Sequence, residues 1–217
     1  MKILAVDTAL GGCSVALLED GKTLAHIFEA MDRGHAERLA PMVEETMRGF
    51  DFAALDRLAV TTGPGTFTGQ RVGLAFMRGL RLALKRPLTG VTTLEVIAAS
   101  AMDETGQSRA AVIHDARREE AYLLLQDGGE TVQQPMVTLF ADAIERIRAF
   151  GPCAVAGTGA VTAKENLGAE FVLSSIRQPD ALWVARLARK IGASNSAPGP
   201  LYLRAPDAKL PGGKALV

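Results

Sequence analysis

Apolar and polar positions along this chain change their period several times, and each change marks an element. ILAVDT (Ile3–Thr8) and CSVALLE (Cys13–Glu19) are apolar, β-rich runs parted by the turn ALGG, and DGK then makes a tight turn into TLAHIFE (Thr23–Glu29). This predicts a β-meander. A helical period follows: Ala36, Leu39, Ala40, Val43 and Met47 fall at i, i+3, i+4, i+7 and i+11, with Glu37, Glu44, Glu45 and Arg48 on other faces. Pro41 inside that run predicts a kink or the true first turn. Further helices are expected at TLEVIAASAMD (Thr93–Asp103), LFADAIERIRAF (Leu139–Phe150) and ALWVARLARKIG (Ala181–Gly192).

The pattern then repeats. AAVIHDA (Ala110–Ala116), RREE, AYLLLQ, DGGE and TVQQPM again give a strand closed by an aspartate and a second strand closed by a glycine turn. Asp7 precedes Gly21 by 14 positions and Asp115 precedes Gly128 by 13. VTTGPGTFTG, from Val60, and VAGTGAVTAK, from Val155, are both apolar strand ends running into a G-x-G turn, about 95 residues apart. Two matched features in one order imply two copies of one fold. The expectation is an α/β chain with mixed sheets and a cleft between two lobes, with the boundary in the polar stretch Asp103–Ala110. Beyond Ser194 the Pro-, Gly- and Ser-rich sequence reads as an extended tail, ordered only if LYLR (Leu201–Arg204) docks on something.

The helix after GPG carries more apolar surface than one contact needs. Val72, Phe76, Met77, Leu80, Ala83 and Leu84, with Gly73 and Gly79, span more than half its circumference, while Arg71, Arg78, Arg81 and Lys85 share a narrower stripe. A helix on a sheet needs an apolar arc of only about 100°. The surplus must be covered, either by the second lobe or by another chain, and the small residues Gly69, Gly73, Ala75 and Gly79 favour a closely approaching helix.

Composition narrows the function. With 217 residues, 48% of them hydrophobic, and a formal net charge of zero, the chain has a large core and no overall drive toward nucleic acid or anionic membrane. MKILAVDT reads as a strand from the outset, no apolar run approaches the roughly 18 residues of a membrane span, and Cys13 and Cys153 lack metal-type spacing. Two reduced thiols in a cytoplasmic protein are expected.

Candidate chemistry is sparse. Gly63 and Gly65 lie between strand and helix, where amides can face an anion, yet neither a Walker lysine nor G-x-G-x-x-G is present. Asp7 and Asp115 end strands on facing lobes, a place for carboxylates that act on phosphate and magnesium. Their turns, TALGG and ARREEAY, suit that work poorly and favour structural hydrogen bonding. His26, His35 and His114 form no HExxH or HxxxH pair, and Ser14, Ser100 and Cys153 sit in no G-x-S-x-G context. No catalytic centre emerges.

Taken jointly, ILAVDTALGGCSVAL, HAERLAP, GPGTFTGQRVGLAFMRGL, HDARREEAY and PLYLR resemble the TsaB (YeaZ-like) family of bacterial tRNA threonylcarbamoyladenosine biosynthesis proteins over essentially the whole chain. The resemblance implies a duplicated actin-like ATPase fold, of the sugar kinase and Hsp70 type and ribonuclease H-like. Residues 1–104 would form the N-terminal lobe, and 105–217 the C-terminal lobe plus an extended tail. It implies a non-catalytic scaffold that heterodimerises with the paralogous catalytic subunit TsaD. With the ATPase TsaE, the pair supports transfer of threonylcarbamoyl to N6 of adenosine 37 in tRNA. Where TsaD-like chains read approximately GVxHLEGH, with two metal-holding histidines, this chain reads GVTTLEVI, placing Thr93 and Ile97 at the ligand positions. No metal and no cofactor are therefore expected, and nucleotide only weakly or within the complex.

The same resemblance implies that Ala36, Leu39, Val43 and Met47 on one helix, with Val72, Phe76, Met77 and Leu80 on the next, form the TsaD interface. That surface would serve a homodimer when the partner is absent. Asp7, Gly63, Gly65 and Asp115 become a vestigial nucleotide site, and tRNA is met only through the complex. The competing readings are an actin-like ATPase or kinase working through Asp7 and Asp115, a metallopeptidase-like enzyme, and a purely homodimeric binding protein.

Overall fold

The structure is a computed structural model that describes residues 1–192 and 196–204. The meander appears as β1 (Lys2–Asp7), β2 (Gly12–Glu19) and β3 (Lys22–Ala30), followed by α1 (His35–Thr46), β4 (Arg57–Thr61), α2 (Phe67–Leu84), β5 (Leu88–Val91) and α3 (Thr93–Thr105). The second half repeats that order: β6 (Arg109–Arg117), β7 (Glu120–Asp127), β8 (Glu130–Leu139), α4 (Phe140–Phe150), β9 (Ala154–Ala156), α5 (Ala160–Glu165), β10 (Val172–Leu173) and α6 (Ala181–Lys190).

Each half builds a five-stranded mixed sheet, β3-β2-β1-β4-β5 and β8-β7-β6-β9-β10. In both, the meander pairs antiparallel and the two later strands add in parallel, as chains crossing over through a helix must. The internal repeat read from the Asp-ended hairpins is therefore a repeat of topology. α1 runs through Pro41, whose missing amide lies on the exposed face, and the helix begins six residues before it. The polar stretch taken as a boundary is shorter than its composition suggests: α3 continues through Asp103–Thr105 and stops at Gly106 in the left-handed conformation.

The layers show how the halves are joined. On the outer face of the first sheet, Leu4, Val6, Val15, Leu17, Leu58 and Val60 meet Leu39, Met42 and Val43 of α1, Met47 at its C-cap, and Leu74 and Met77 of α2. The second sheet is covered outside by α4 and α5. Between the sheets the inner helices are exchanged. Val184, Ala185 and Ala188 of α6 pack on Ile3, Ala5, Ala16 and Ala59 of the first sheet. Leu94, Ile97, Ala98 and Ala101 of α3 pack on Ala110, Val112, Leu124, Ala154 and Ala156 of the second. The alanines make this crossing close, since a short side chain on each surface brings helix and sheet axes together.

Candidate functional site

The GPG turn is a packing joint. Thr8, just past β1, donates its hydroxyl to the Gly69 carbonyl at 2.7 Å and accepts from the Gly73 amide at 3.0 Å, bridging two groups one helical turn apart in α2. Such insertion needs a helix surface free of side chains. A Cβ on Gly69 would stand 2.2 Å from the Thr8 carbonyl oxygen, one on Gly73 2.7 Å from Thr8 Oγ1, and one on Gly65 2.3 Å from the Ala9 carbonyl oxygen. Two amides of this turn are also engaged: that of Thr66 donates to the Ala9 carbonyl at 2.8 Å, and that of Gly69 to Thr66 Oγ1 at 3.1 Å. Gly63, at φ +107°, takes a conformation open chiefly to glycine, with the Gln70 amide group against it. The signal for this joint was the G-x-x-x-G spacing of 69 and 73. Thr8, which fills it, was not singled out.

The two aspartates that the repeat relates have opposite environments. Asp7 is fully buried; its Oδ1 accepts from Thr61 Oγ1 at 2.5 Å and from the Ala9 amide at 3.2 Å, while Oδ2 has no hydrogen-bond partner. Burial pushes its carboxyl up to about 7. Asp115 is exposed, accepts from the Arg117 amide at 2.7 Å, and donates its own amide to Thr158 at 2.9 Å. The residues after it, Arg117, Arg118 and Glu119, all have positive φ, of 65°, 55° and 61°. A glycine-free run of three such residues is a costly turn.

Between the lobes lies a groove of about 520 Å³, lined mainly by Leu10, Pro64, Phe67 and Tyr122 on its lobe sides, with Gln70 and Asp115 supplying polar groups. Gly65 and Asp115 meet in its walls; Asp7 and Gly63 do not contribute. The remaining wall is the end of the described chain. The Leu201 amide donates to Thr62 at 2.7 Å, Arg78 donates to the Pro198 carbonyl at 2.6 Å, and Arg71 donates to the Tyr202 hydroxyl at 2.9 Å. Arg204 pairs with Glu120 of the other lobe. The LYLR segment thus docks on its own chain and crosses the groove as a strap.

The expected interface residues divide by burial. Leu39, Val43, Met47 and Met77 face their own sheet and are buried in the first core. Val72, Phe76 and Leu80 are half-buried beside them, and Ala36 is exposed. The outward surface of this helix pair is therefore Ala36, Ala40, Ala75, Gly79, Leu82 and Ala83, flanked by Phe76 and Leu80.

Thr93 and Ile97 are both fully buried at the start of α3, with Ile97 packed against the second sheet. Their hydroxyl and alkyl groups lack the nitrogen donors that a histidine pair would offer. Among the described residues, no three His, Cys, Asp or Glu side chains are grouped to hold a metal ion. No helix among them is long and apolar enough to cross a membrane. Cys13 and Cys153 are free and buried, their thiols pushed up to about 11 by burial.

A family profile described as TsaD: tRNA N6-adenosine threonylcarbamoyltransferase matches residues 22–176. The tRNA threonylcarbamoyladenosine biosynthesis protein TsaB of Haemophilus influenzae is 31% identical over 94% of this chain and 94% of its own length. The chain belongs to the TsaB family. The Escherichia coli protein of the same name is 43% identical over 56% of this chain, and that alignment spans about half of the relative, 53% of its length. A solved Pseudomonas aeruginosa structure described as similar to peptidase YeaZ superposes with a TM-score of 0.80 at 33% identity, covering 94% of this chain and 99% of that one. With the topology above, these relations make the TsaB-family chain a duplicated actin-like α/β fold of two lobes.

Proposed function

We propose that this chain is a non-catalytic partner subunit in the formation of N6-threonylcarbamoyladenosine at position 37 of tRNA. It binds and supports a TsaD-like catalytic subunit acting with a TsaE-like ATPase. The observation that carries the non-catalytic half of the reading is the burial of Thr93 and Ile97, the positions at which the resemblance puts the histidine pair of TsaD-like chains. Fully buried side chains do not reach a substrate. Asp7 supports the same view, because a carboxyl without solvent access and already bonded to Thr61 is a poor anchor for magnesium and phosphate.

In this reading, residues 1–104 supply the partner-binding lobe through the outward face of α1 and α2, and residues 105–217 supply the supporting lobe. The same face closes a homodimer when the partner is absent. tRNA is met through the complex, the vestigial nucleotide site takes nucleotide weakly if at all outside it, and the setting is the cytoplasm.

The test is light scattering on the chain alone and mixed with its cognate TsaD-like subunit, using wild type, Phe76→Glu and Ala36→Arg. A 1:1 complex for wild type, lost in both variants while each keeps its thermal transition, is the expected result. Unchanged assembly of the variants would move the interface elsewhere. Turnover of ATP or of a peptide by the purified chain alone would replace the scaffold by an enzyme.

A further inference from the structure

The helix α2 is the middle rib of a wider surface. Around its axis, Phe76 and Leu80 lie on the flank that joins the first-lobe cluster with α1, while Phe67, Arg71 and Arg78 lie on the opposite flank. That second flank is where the strap runs, held by Arg71 at Tyr202 and by Arg78 at Pro198. Three ribs, α1, α2 and the strap, therefore lie side by side on one face.

The third rib has unusual chemistry. Phe67 is 55% exposed and Tyr202 46% exposed, yet their rings stack with centroids 6.1 Å apart. The Arg71 guanidinium sits 3.4 Å from the Phe67 ring centroid and 5.8 Å from that of Tyr202. Two large aromatics and an arginine, held in place before any partner arrives, combine the residue types that dominate binding energy with little left to order on association. Charge is one-sided as well. The helix α2 carries Arg71, Arg78 and Arg81, with Lys85 at its C-cap, and no carboxylate, in a chain whose net charge is zero.

We propose that the Phe67–Arg71–Tyr202 cluster is an anchor for an acidic surface of the TsaD-like partner, so that the C-terminal strap is part of the heterodimer interface. The inference rests on the partner-subunit reading and names the chemistry of the surface that reading requires. Carboxylates on the partner meet Arg71 and the cationic stripe behind it, and the exposed ring faces are covered by the same contact. Because the strap reaches Glu120 of the second lobe through Arg204, the contact links partner binding to both lobes.

The experiment is titration calorimetry of the full chain against the cognate TsaD-like subunit at two salt concentrations, with wild type, Phe67→Ala, Tyr202→Ala and Arg71→Glu. All three positions are on the surface, and circular dichroism with thermal melts establishes that each variant is folded. Expected are losses of about 10-fold or more for each aromatic truncation. A larger loss is expected for Arg71→Glu, along with a weaker salt dependence than wild type. If wild type binds and all three variants bind within about 2-fold of it, the anchor is overturned while the partner reading stands. If wild type itself does not bind, the partner reading falls first. Loss of homodimer alone, with heterodimer affinity intact, also overturns the proposal, as does a variant weakened for tRNA but unchanged for the protein partner.

Discussion

The two halves of the molecule share one strand order and have diverged almost everywhere else. In the first half the helix after the glycine turn runs 18 residues and is locked to β1 through Thr8; in the second its counterpart α5 runs only six. Both glycine turns nevertheless press on the end of the first strand of their own half. Gly65 lies against Ala9, and Gly157, at φ +96°, lies so close to Ile113 that a Cβ would stand 2.5 Å from its carbonyl oxygen. The close approach is what both copies kept. The long outer helix pair, with an outward surface of small and apolar residues, belongs to one copy only.

The largest effect expected on this contrast comes from Leu39→Glu. A carboxylate placed where Leu39 is 1% exposed against the first sheet should remove about 4 kcal/mol or more of stability and abolish the cooperative melt. Phe76→Glu, on the half-buried flank, should melt within a few degrees of wild type and lose only assembly. If both unfold, α2 is core on every side.

Next in size are the joints. Gly69→Ala and Gly65→Ala should each cost about 3 kcal/mol, because the obstructing atoms are backbone carbonyls that cannot swing aside. Gly157→Ala should cost a similar amount through contact and positive φ together. Denaturant midpoints would show whether the shared joint has equal weight in both copies.

Titration sets the halves against each other. Asp7, raised to about 7 in the fold, holds its proton more tightly folded than unfolded, so its contribution falls as pH climbs from about 4 to about 7. His114, 5% exposed in the second half, is lowered to about 4 by burial, so its contribution rises with pH between about 4 and 6.5. The two slopes are opposite in sign. His114→Gln should unmask the Asp7 slope as stability lost between pH 4 and 7, and Asp7→Asn should unmask the reverse; urea unfolding across that range reads both.

The smallest change runs the other way. Gly79→Ala, with nothing within 4 Å of the added methyl, should stabilise α2 by about 0.5–1 kcal/mol, visible as a slightly higher melting temperature.

The fold was legible because its signals are local and were written twice. Aspartate-ended hairpins, G-x-G turns and helical periods each occupy under twenty residues, and their repetition pointed to two copies of one unit; the strand order came from the structure. The site was less legible because it depends on contacts between distant segments. A helical wheel puts Leu39, Val43 and Met77 on an apolar face but does not say which element covers it; here the first sheet does, and the surplus apolar surface is Phe76, Leu80 and Leu82. That Thr8 would thread into α2 was hidden, since a lone threonine after a strand carries no distinguishing pattern. Tyr202 finds Arg71 across 131 positions, a pairing no local window holds.

The exchange of inner helices has a consequence for synthesis. The first sheet is complete once β5 has left the ribosome, but its inner face of Ile3, Ala5, Ala16 and Ala59 is covered by α6, among the last helices to be made. Until then the nascent first half carries an apolar surface with no cover of its own. The second sheet has the opposite schedule, because α3 is already waiting when its strands emerge. Covering the inner face of the first sheet thus waits for α6, which is made after every strand of both sheets.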